Sequence, residues 1–113
     1  MTQALGLLGL ASRAGQITLG ADLALREIKG GRAGAVLLDE SASAGTRKKI
    51  LDACAYRSVP AYILPTDSLS SACGKDGRMA AAVKKGKLCD RIMELLNEET
   101  DKLQAKRGGA SIE

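Results

Sequence analysis

The sequence contains no histidine, tryptophan or phenylalanine, and it has only two tyrosines. Without histidine, Ser-His and Cys-His nucleophile pairs cannot be assembled, and the most common general base is absent. The sequence also contains neither a glycine-rich dinucleotide-binding motif nor a phosphate-binding P-loop. We therefore expect a protein that is not an enzyme.

The cysteines are few and widely spaced. Cys54, Cys73 and Cys89 form no Cys-x-x-Cys pair, and a zinc site would lack its usual ligands. We interpret them as small buried residues in a reducing compartment, and we expect no metal and no cofactor.

Aromatic residues and long apolar runs are also scarce. With only Tyr56 and Tyr62, the chain is unlike single-strand binders that stack bases on aromatic platforms. The N-terminal apolar stretch follows no basic residue, and it carries Arg13 where a signal peptide needs a small-residue cleavage site. The sequence thus predicts a cytoplasmic protein without a membrane-spanning segment.

Positive charge is in excess and unevenly distributed. The net charge is +4, with 13 Lys or Arg and 7 Asp or Glu in residues 1–89, but 4 and 6 in residues 90–113. A basic body favours a polyanionic partner, nucleic acid first, although many small proteins are mildly basic without one. With so few aromatic residues, an RNA-binding protein of this kind would read shape, phosphates and base edges.

Hydrophobic periodicity predicts five helices that alternate with four strands. The predicted helices cover residues 3–13, 20–29, 44–57, 67–73 and 87–103, and the predicted strands cover residues 16–19, 35–38, 59–64 and 79–83. Ser43 and Thr66 are the predicted N-caps of the third and fourth helices. This alternation indicates a single α/β domain over residues 1–103, which we expect to be monomeric, with a flexible tail over residues 104–113.

The second predicted helix lies within "LGADLALREIKGG" and has two distinct faces. Its core-facing stripe contains Ala21, Ala24, Leu25 and Ile28. Asp22, Leu23 and Arg26 point outward, and Gly20 allows close approach to the free N–H groups of the helix N-terminus. This face suits RNA, but an outward leucine between charges also suits a protein-docking contact, so both functions remain open.

Several segments together resemble a known family. They are "GLASRAG", the glycine-started second helix, "AVLLDESAS", "TRKKI", "CAYRSVPAYIL" and "ACGKDGRMAAAV". Over about residues 4–96 the chain is similar to the bacterial YlxQ-type ribosomal proteins, members of the L-seven-Ae/L-thirty-e family of kink-turn RNA-binding proteins. The resemblance implies a three-layer α/β/α sandwich around a mixed four-stranded sheet.

The resemblance also implies a partner. A kink-turn is a sharply bent RNA with tandem sheared G·A pairs beside a three-nucleotide bulge. In the family, the second helix enters at the G·A pairs, and the loop before the last strand covers the flipped-out bulge nucleotide. These regions correspond here to residues 20–26 and 75–79, and the implied partner is structured RNA, with ribosomal RNA and the ribosome as its expected context.

The candidate RNA-binding residues follow from these segments. The second helix contributes Gly20, Ala21, Asp22, Leu23, Arg26 and Lys29, and the loop before the last strand contributes Lys75, Arg78 and Met79. Arg47, Lys48 and Lys49 open the third helix against the preference of a helix N-terminus for acids, and the first two are candidate residues. Phosphate contact explains that choice, and a solvated charged face explains it equally well. We interpret Lys84, Lys85 and Lys87 as a turn that aids solubility.

The second helix departs from the family pattern at two positions. Kink-turn binders of the archaeal type carry Gly-x-Asn-Glu-x-x-Lys here, whereas this chain has Gly20, Asp22, Leu23 and Arg26 at the four defined positions. The glycine is kept and the last cation is kept as arginine, but both polar base readers are changed. The change is compatible with binding to structured RNA in general. It affects the two positions that would distinguish a kink-turn from other RNAs.

Overall fold

A central sheet of four strands organises the fold. In the computed structural model, which describes residues 2–74 and 78–103, helices and strands alternate as predicted. The helices are α1 (Thr2–Arg13), α2 (Ala21–Lys29), α3 (Ala44–Arg57), α4 (Ser68–Cys73) and α5 (Lys87–Leu103). The strands are β1 (Ile17–Leu19), β2 (Ala33–Asp39), β3 (Ala61–Leu64) and β4 (Ala80–Lys84). The candidate residue Lys75 and the predicted tail over residues 104–113 lie outside the described residues.

The strand order is β1-β4-β2-β3, so the last strand lies between the first two. β4 is antiparallel to both β1 and β2, and β2 is parallel to β3, which makes the sheet mixed. The upper edge of the sheet, as we call it, contains Leu19, Asp39, Leu64 and Ala80. The N-termini of α2, α3 and α4 follow the strand ends at this edge. The lower edge contains the opposite strand ends, with Ala33 paired to Lys84.

Helices cover both faces of the sheet. α1, α4 and α5 pack on one face, where Leu8 and Ile92 are fully buried. α2 and α3 pack on the other, where Ile28 and Ile50 are buried at 0% and 1% exposure. Successive residues of β2 point into the two cores in turn, as expected of a strand covered on both sides. The architecture is therefore the three-layer α/β/α sandwich that the resemblance implied.

One of the two predicted helix caps is not observed. Ser43 caps α3 as predicted, because its hydroxyl accepts a hydrogen bond from a backbone N–H of the first turn. Thr66 does not cap α4: the residue before the helix is Asp67, at φ +68° and without a side-chain cap bond. The N–H of Asp67 donates instead to Oδ2 of Asp39, at 2.9 Å. The buried carboxylate of Asp39 thus holds the residue that precedes the helix, and the N–H of Ser68 donates to the carbonyl of Pro65 at 3.0 Å.

No helix in residues 2–74 and 78–103 has the length and apolar character needed to cross a membrane. Within the same residues, no three or more Asp, Glu or Cys side chains are grouped to hold a metal ion.

Candidate nucleic-acid interface

The N-terminus of α2 is open at the upper edge. It begins after Gly20, whose φ of +108° is one that side-chain-bearing residues rarely adopt, and no side chain caps it. The N–H of Gly20 donates to the carbonyl of Ala80 at 2.8 Å, which fixes the helix start against β4. The N–H groups of Ala21, Asp22 and Leu23 therefore form the first turn, where an α-helix provides no internal acceptors. They lie at the positive end of the helix dipole and suit an anion.

The two faces of α2 are those that the sequence predicts. The core side contains Ala21, Ala24, Leu25 and Ile28. Because the side chain of Ala21 packs on that side, only its backbone N–H is available to a ligand. Asp22, Leu23 and Arg26 are exposed, Leu23 by 46%. An acidic residue, a basic residue and a leucine are thus exposed near the open helix end.

Arg78, two residues before β4, lies directly beside this helix end. A Cβ built on Gly20 would lie 4.0 Å from Nη1 of Arg78, an exposed residue. The backbone of Arg78 is held by the Ser70 hydroxyl, which accepts from its N–H at 3.2 Å and donates to its carbonyl at 3.5 Å. The insertion of β4 next to β1 thus brings together two segments that are more than 50 residues apart in the sequence.

Met79 joins this loop to the end of β2. Its side chain is partly buried against the α2–α3 core, and its carbonyl accepts the N–H of Asp39 at 2.8 Å. The Ser41 hydroxyl lies 3.5 Å from the Met79 sulfur. Met79 is therefore held both by the α2–α3 core and by the end of β2.

Asp39 is the centre of the supporting network and was not among the candidate residues. Its buried carboxylate accepts the N–H and the hydroxyl of Ser41, at 2.8 and 2.6 Å, and the N–H of Asp67. Burial alone would raise the pKa of Asp39, but these three hydrogen bonds outweigh it and hold the pKa below its ordinary value. The signal in the sequence was a carboxylate directly after the apolar run "AVLL".

Arg47 and Lys48 are at the start of α3, but their side chains have partners within the protein. Nη2 of Arg47 donates to the carbonyl of Glu40 at 2.6 Å, so this arginine partly stabilises the end of β2. Lys48 pairs with Asp52 at 3.1 Å on the surface of α3. An exposed pair of this kind contributes little stability, and a phosphate could replace the carboxylate.

Lys29 is the candidate furthest from the open helix end. It is exposed at the C-terminus of α2, about 12 Å along the helix axis from Ala21 at 1.5 Å per residue. The structure therefore brings Gly20, Asp22, Leu23, Arg78 and Met79 together and leaves Lys29 at the periphery. We call residues 20–23, with Arg26, Arg78 and Met79, the upper-edge surface.

Proteins of known structure share this fold. A Bacillus halodurans protein, described as one with unknown function, superposes with a TM-score of 0.81 at 30% identity, over 86% of this chain and 99% of that one. A Giardia lamblia 15.5kD RNA binding protein superposes with a TM-score of 0.67 at 22% identity, over 88% of this chain and 86% of that one. The second likeness shows the fold alone.

Sequence comparison finds relatives over most of the chain. An RNA-binding protein YlxQ of Bacillus subtilis (strain 168) is 39% identical over 92 residues, which are 80% of this chain and 92% of that protein. An RNA-binding protein YlxQ of Enterococcus faecium is 32% identical over 85 residues, or 74% and 82%. Residues 2–93 match the model of the ribosomal protein L7Ae/L30e/S12e/Gadd45 family. The chain therefore belongs to the ribosomal protein L7Ae/L30e/S12e/Gadd45 family.

Proposed function

We propose that this chain binds structured RNA through the upper-edge surface, with a kink-turn-like element as its target and ribosomal RNA as the expected source. The observation that carries the proposal is the position of Arg78 beside the uncapped start of α2 at Gly20. Free helix N–H groups favour a phosphate, and an adjacent guanidinium can bind a second phosphate or a guanine edge. The name shared by the two relatives, RNA-binding protein, supports RNA as the ligand class.

Each residue of the surface has a distinct proposed role. Arg26, exposed on the outward face of α2, donates to guanine acceptors or to phosphate. Asp22 accepts from a base amine, and Leu23 packs against the RNA without hydrogen bonding. Arg47, Lys48 and Lys29 would contact phosphates at the periphery. The role is one of binding, since this surface combines no nucleophile with a general base.

The proposal is tested by titrating the protein with a fluorescent kink-turn RNA and with the same stem after its G·A pairs are replaced by Watson–Crick pairs. We expect the kink-turn to bind about tenfold tighter or more, a difference of about 1.4 kcal/mol. Its affinity should fall with salt at a log–log slope of about −0.7 to −0.9 per phosphate contacted. Equal affinities for the two RNAs would contradict the kink-turn target, and a slope near zero would contradict RNA binding itself.

A second function is favoured by one observation, the 46% exposure of Leu23 between two charged residues. A leucine that projects from a helix can insert into an apolar pocket of a partner protein. In that case the fold would serve as a protein–protein interaction module with weak affinity for RNA. The two functions differ in what they require of the residues at positions 22 and 23.

Restoring the family pattern with Asp22→Asn and Leu23→Glu is expected to raise the preference for the kink-turn over its G·A-disrupted control by about tenfold. Asn offers a donor as well as an acceptor, and Glu satisfies a base amine that Leu23 leaves unpaired, at about 1–3 kcal/mol. The free energy of unfolding should change by no more than about 0.5 kcal/mol, because both side chains are exposed.

The matched control makes the same two chemical changes elsewhere, at Asp90→Asn and Leu10→Glu. Asp90 is exposed on α5, and Leu10 is 49% exposed on α1. Fluorescence anisotropy titrations of both double variants with both RNAs give the preference directly. If the ratio of affinities is the same in the two variants, α2 does not read the G·A pairs, and protein docking through Leu23 becomes the better account.

A further inference from the structure

A second basic surface lies at the lower edge of the sheet, opposite the upper-edge surface. Two neighbouring cavities open there, of about 500 and about 220 Å³. The larger is lined by Thr18, Glu27, Arg32, Lys84 and Lys85. The smaller includes Arg57 and Ser58 in its lining and shares Lys85 with the first. We call the residues Arg32, Arg57, Lys84 and Lys85, with these two cavities, the lower-edge surface.

Strand pairing brings these cations together from distant parts of the sequence. β2 and β4 are antiparallel with Ala33 opposite Lys84, so Arg32, just before β2, meets the residues that end β4. The N–H of Lys85 donates to the carbonyl of Arg32 at 3.3 Å. The fold therefore places Lys84 and Lys85 of the basic "KKGK" segment against a third cation, Arg32, and beside a concave surface.

The two arginines of this surface are held in place by the protein. Nε of Arg32 contacts both carboxylate oxygens of Glu27 at 3.1 Å, and its Nη2 donates to the carbonyl of Arg26 at 3.3 Å. Nη2 of Arg57 donates to the carbonyl of Lys29 at 2.6 Å. Groups that are ordered before a ligand arrives lose less conformational entropy when they bind it.

Gly30 leaves room for the Arg32 guanidinium over the end of α2. A Cβ on Gly30 would lie 2.6 Å from Cζ of Arg32, so any other residue would displace this side chain. The φ of Gly30 is −82°, a value that all residues adopt, so backbone geometry does not require glycine at this position. The close approach of the guanidinium is a feature that glycine permits and larger residues do not.

The local charge balance is strongly positive. Among the described residues that line the two cavities, Glu27 is the one that carries a carboxylate, and it is paired with Arg32. Lys84 and Lys85 are exposed, and neither forms an ion pair within residues 2–74 and 78–103. Unpaired cations beside a concave surface with the Thr18 hydroxyl favour a ligand made of phosphates.

We infer that the lower-edge surface binds the phosphate backbone of a second RNA segment, so that the chain contacts RNA on two sides. The inference rests on the proposed function for the class of ligand. Ala80 and Lys84, at opposite ends of β4, are about 13 Å apart at 3.3 Å per residue. Because the two surfaces are at opposite ends of the strands, we expect a short kink-turn RNA on the upper-edge surface to leave the exposed side chains of Lys84 and Lys85 open to another duplex.

The test uses Lys84→Gln with Lys85→Gln and a short labelled RNA duplex that contains no kink-turn. Its affinity is measured for the free protein and for protein saturated with unlabelled kink-turn RNA. In the saturated protein the variant should bind the duplex about tenfold more weakly than the parent, with a salt slope shallower by about 1.4–1.8 for two lost phosphate contacts. Its affinity for the kink-turn itself should stay within about twofold of the parent's.

The matched control is Lys49→Gln with Arg91→Gln, which removes the same charge from exposed positions on α3 and α5. If this control weakens duplex binding as much as the lower-edge variant, net charge alone is responsible and the lower-edge site is refuted. Displacement of the duplex by polyglutamate as readily as by unlabelled duplex would refute RNA as the ligand and indicate an acidic protein. A failure of the proposed function would be measured separately, as equal affinities for the kink-turn and its G·A-disrupted control. In that case the affinity of the free protein for the duplex still tests the lower-edge surface.

Discussion

Replacing Arg26 and Arg78 together with alanine is expected to weaken kink-turn binding by about 3 kcal/mol, roughly a hundredfold or more. Both guanidinium groups are exposed, and Arg78 lies beside the helix start at Gly20. Each single replacement should cost about 1–3 kcal/mol if the side chain reads a base edge, and less if it contacts one phosphate. Because neither side chain is buried, the free energy of unfolding should stay within about 0.5 kcal/mol of the parent's.

Anisotropy titrations at a fixed salt concentration, with Lys49→Ala plus Arg91→Ala as the control, separate this effect from the loss of two charges. Lys49 is exposed on α3, and Arg91 pairs with Glu94 on the surface of α5. The control should lose no more than about threefold in affinity through weaker long-range attraction. Equal affinities of the two double variants would show that RNA does not bind at the upper-edge surface.

Replacing Asp39 with asparagine is expected to lower the free energy of unfolding by about 2–4 kcal/mol. The carboxylate is fully buried and accepts three hydrogen bonds, whereas an amide would direct an NH₂ group at one of the same donors. Urea unfolding monitored by circular dichroism measures the loss. Asp52→Asn, an identical change at an exposed residue paired with Lys48, should cost about 0.5 kcal/mol or less.

The same variant gives a prediction for pH. Hydrogen bonds from Ser41 and Asp67 hold the pKa of Asp39 below its ordinary value of 3.8 despite burial, so its contribution to stability is present above that pH and is lost as the pH falls through the folded-state pKa. The parent should therefore lose stability on acidification below about pH 4 more steeply than Asp39→Asn. If the free energies of unfolding of the two proteins fall in parallel as the pH is lowered, Asp39 does not determine the loss of stability in acid.

Local patterns were sufficient to predict the helices, the strands and the outward face of α2. The stripe of Ala24 and Ile28 is a property of neighbouring residues at helical spacing, and it is buried as predicted. Burial on both faces also followed from the continuous run "AVLL". These features depend on periodicity along the chain, which the sequence displays directly.

Features that depend on long-range pairing could not be read in the same way. The contact between Arg78 and the start of α2 requires β4 to lie next to β1, and nothing in the local pattern of "MAAAV" specifies its neighbours. The prediction of Thr66 as a cap was wrong because the helix begins one residue later, after Asp67, whose N–H is held by the carboxylate of Asp39, 28 residues away. The position of Lys84 and Lys85 against Arg32 has the same origin in the pairing of β2 with β4.

The most direct test of the upper-edge surface is an ¹⁵N–¹H NMR titration with one equivalent of a short kink-turn RNA. If RNA binds at the upper-edge surface, the largest shift changes are expected at the backbone amides of Ala21, Asp22 and Leu23 and at those of Arg78 and Met79. These two segments share one surface. The amides of the outer face of α5, including Arg91, should change little. Large changes confined to α5, or to the lower edge around Lys84, with none at the start of α2, would contradict RNA binding at the upper-edge surface.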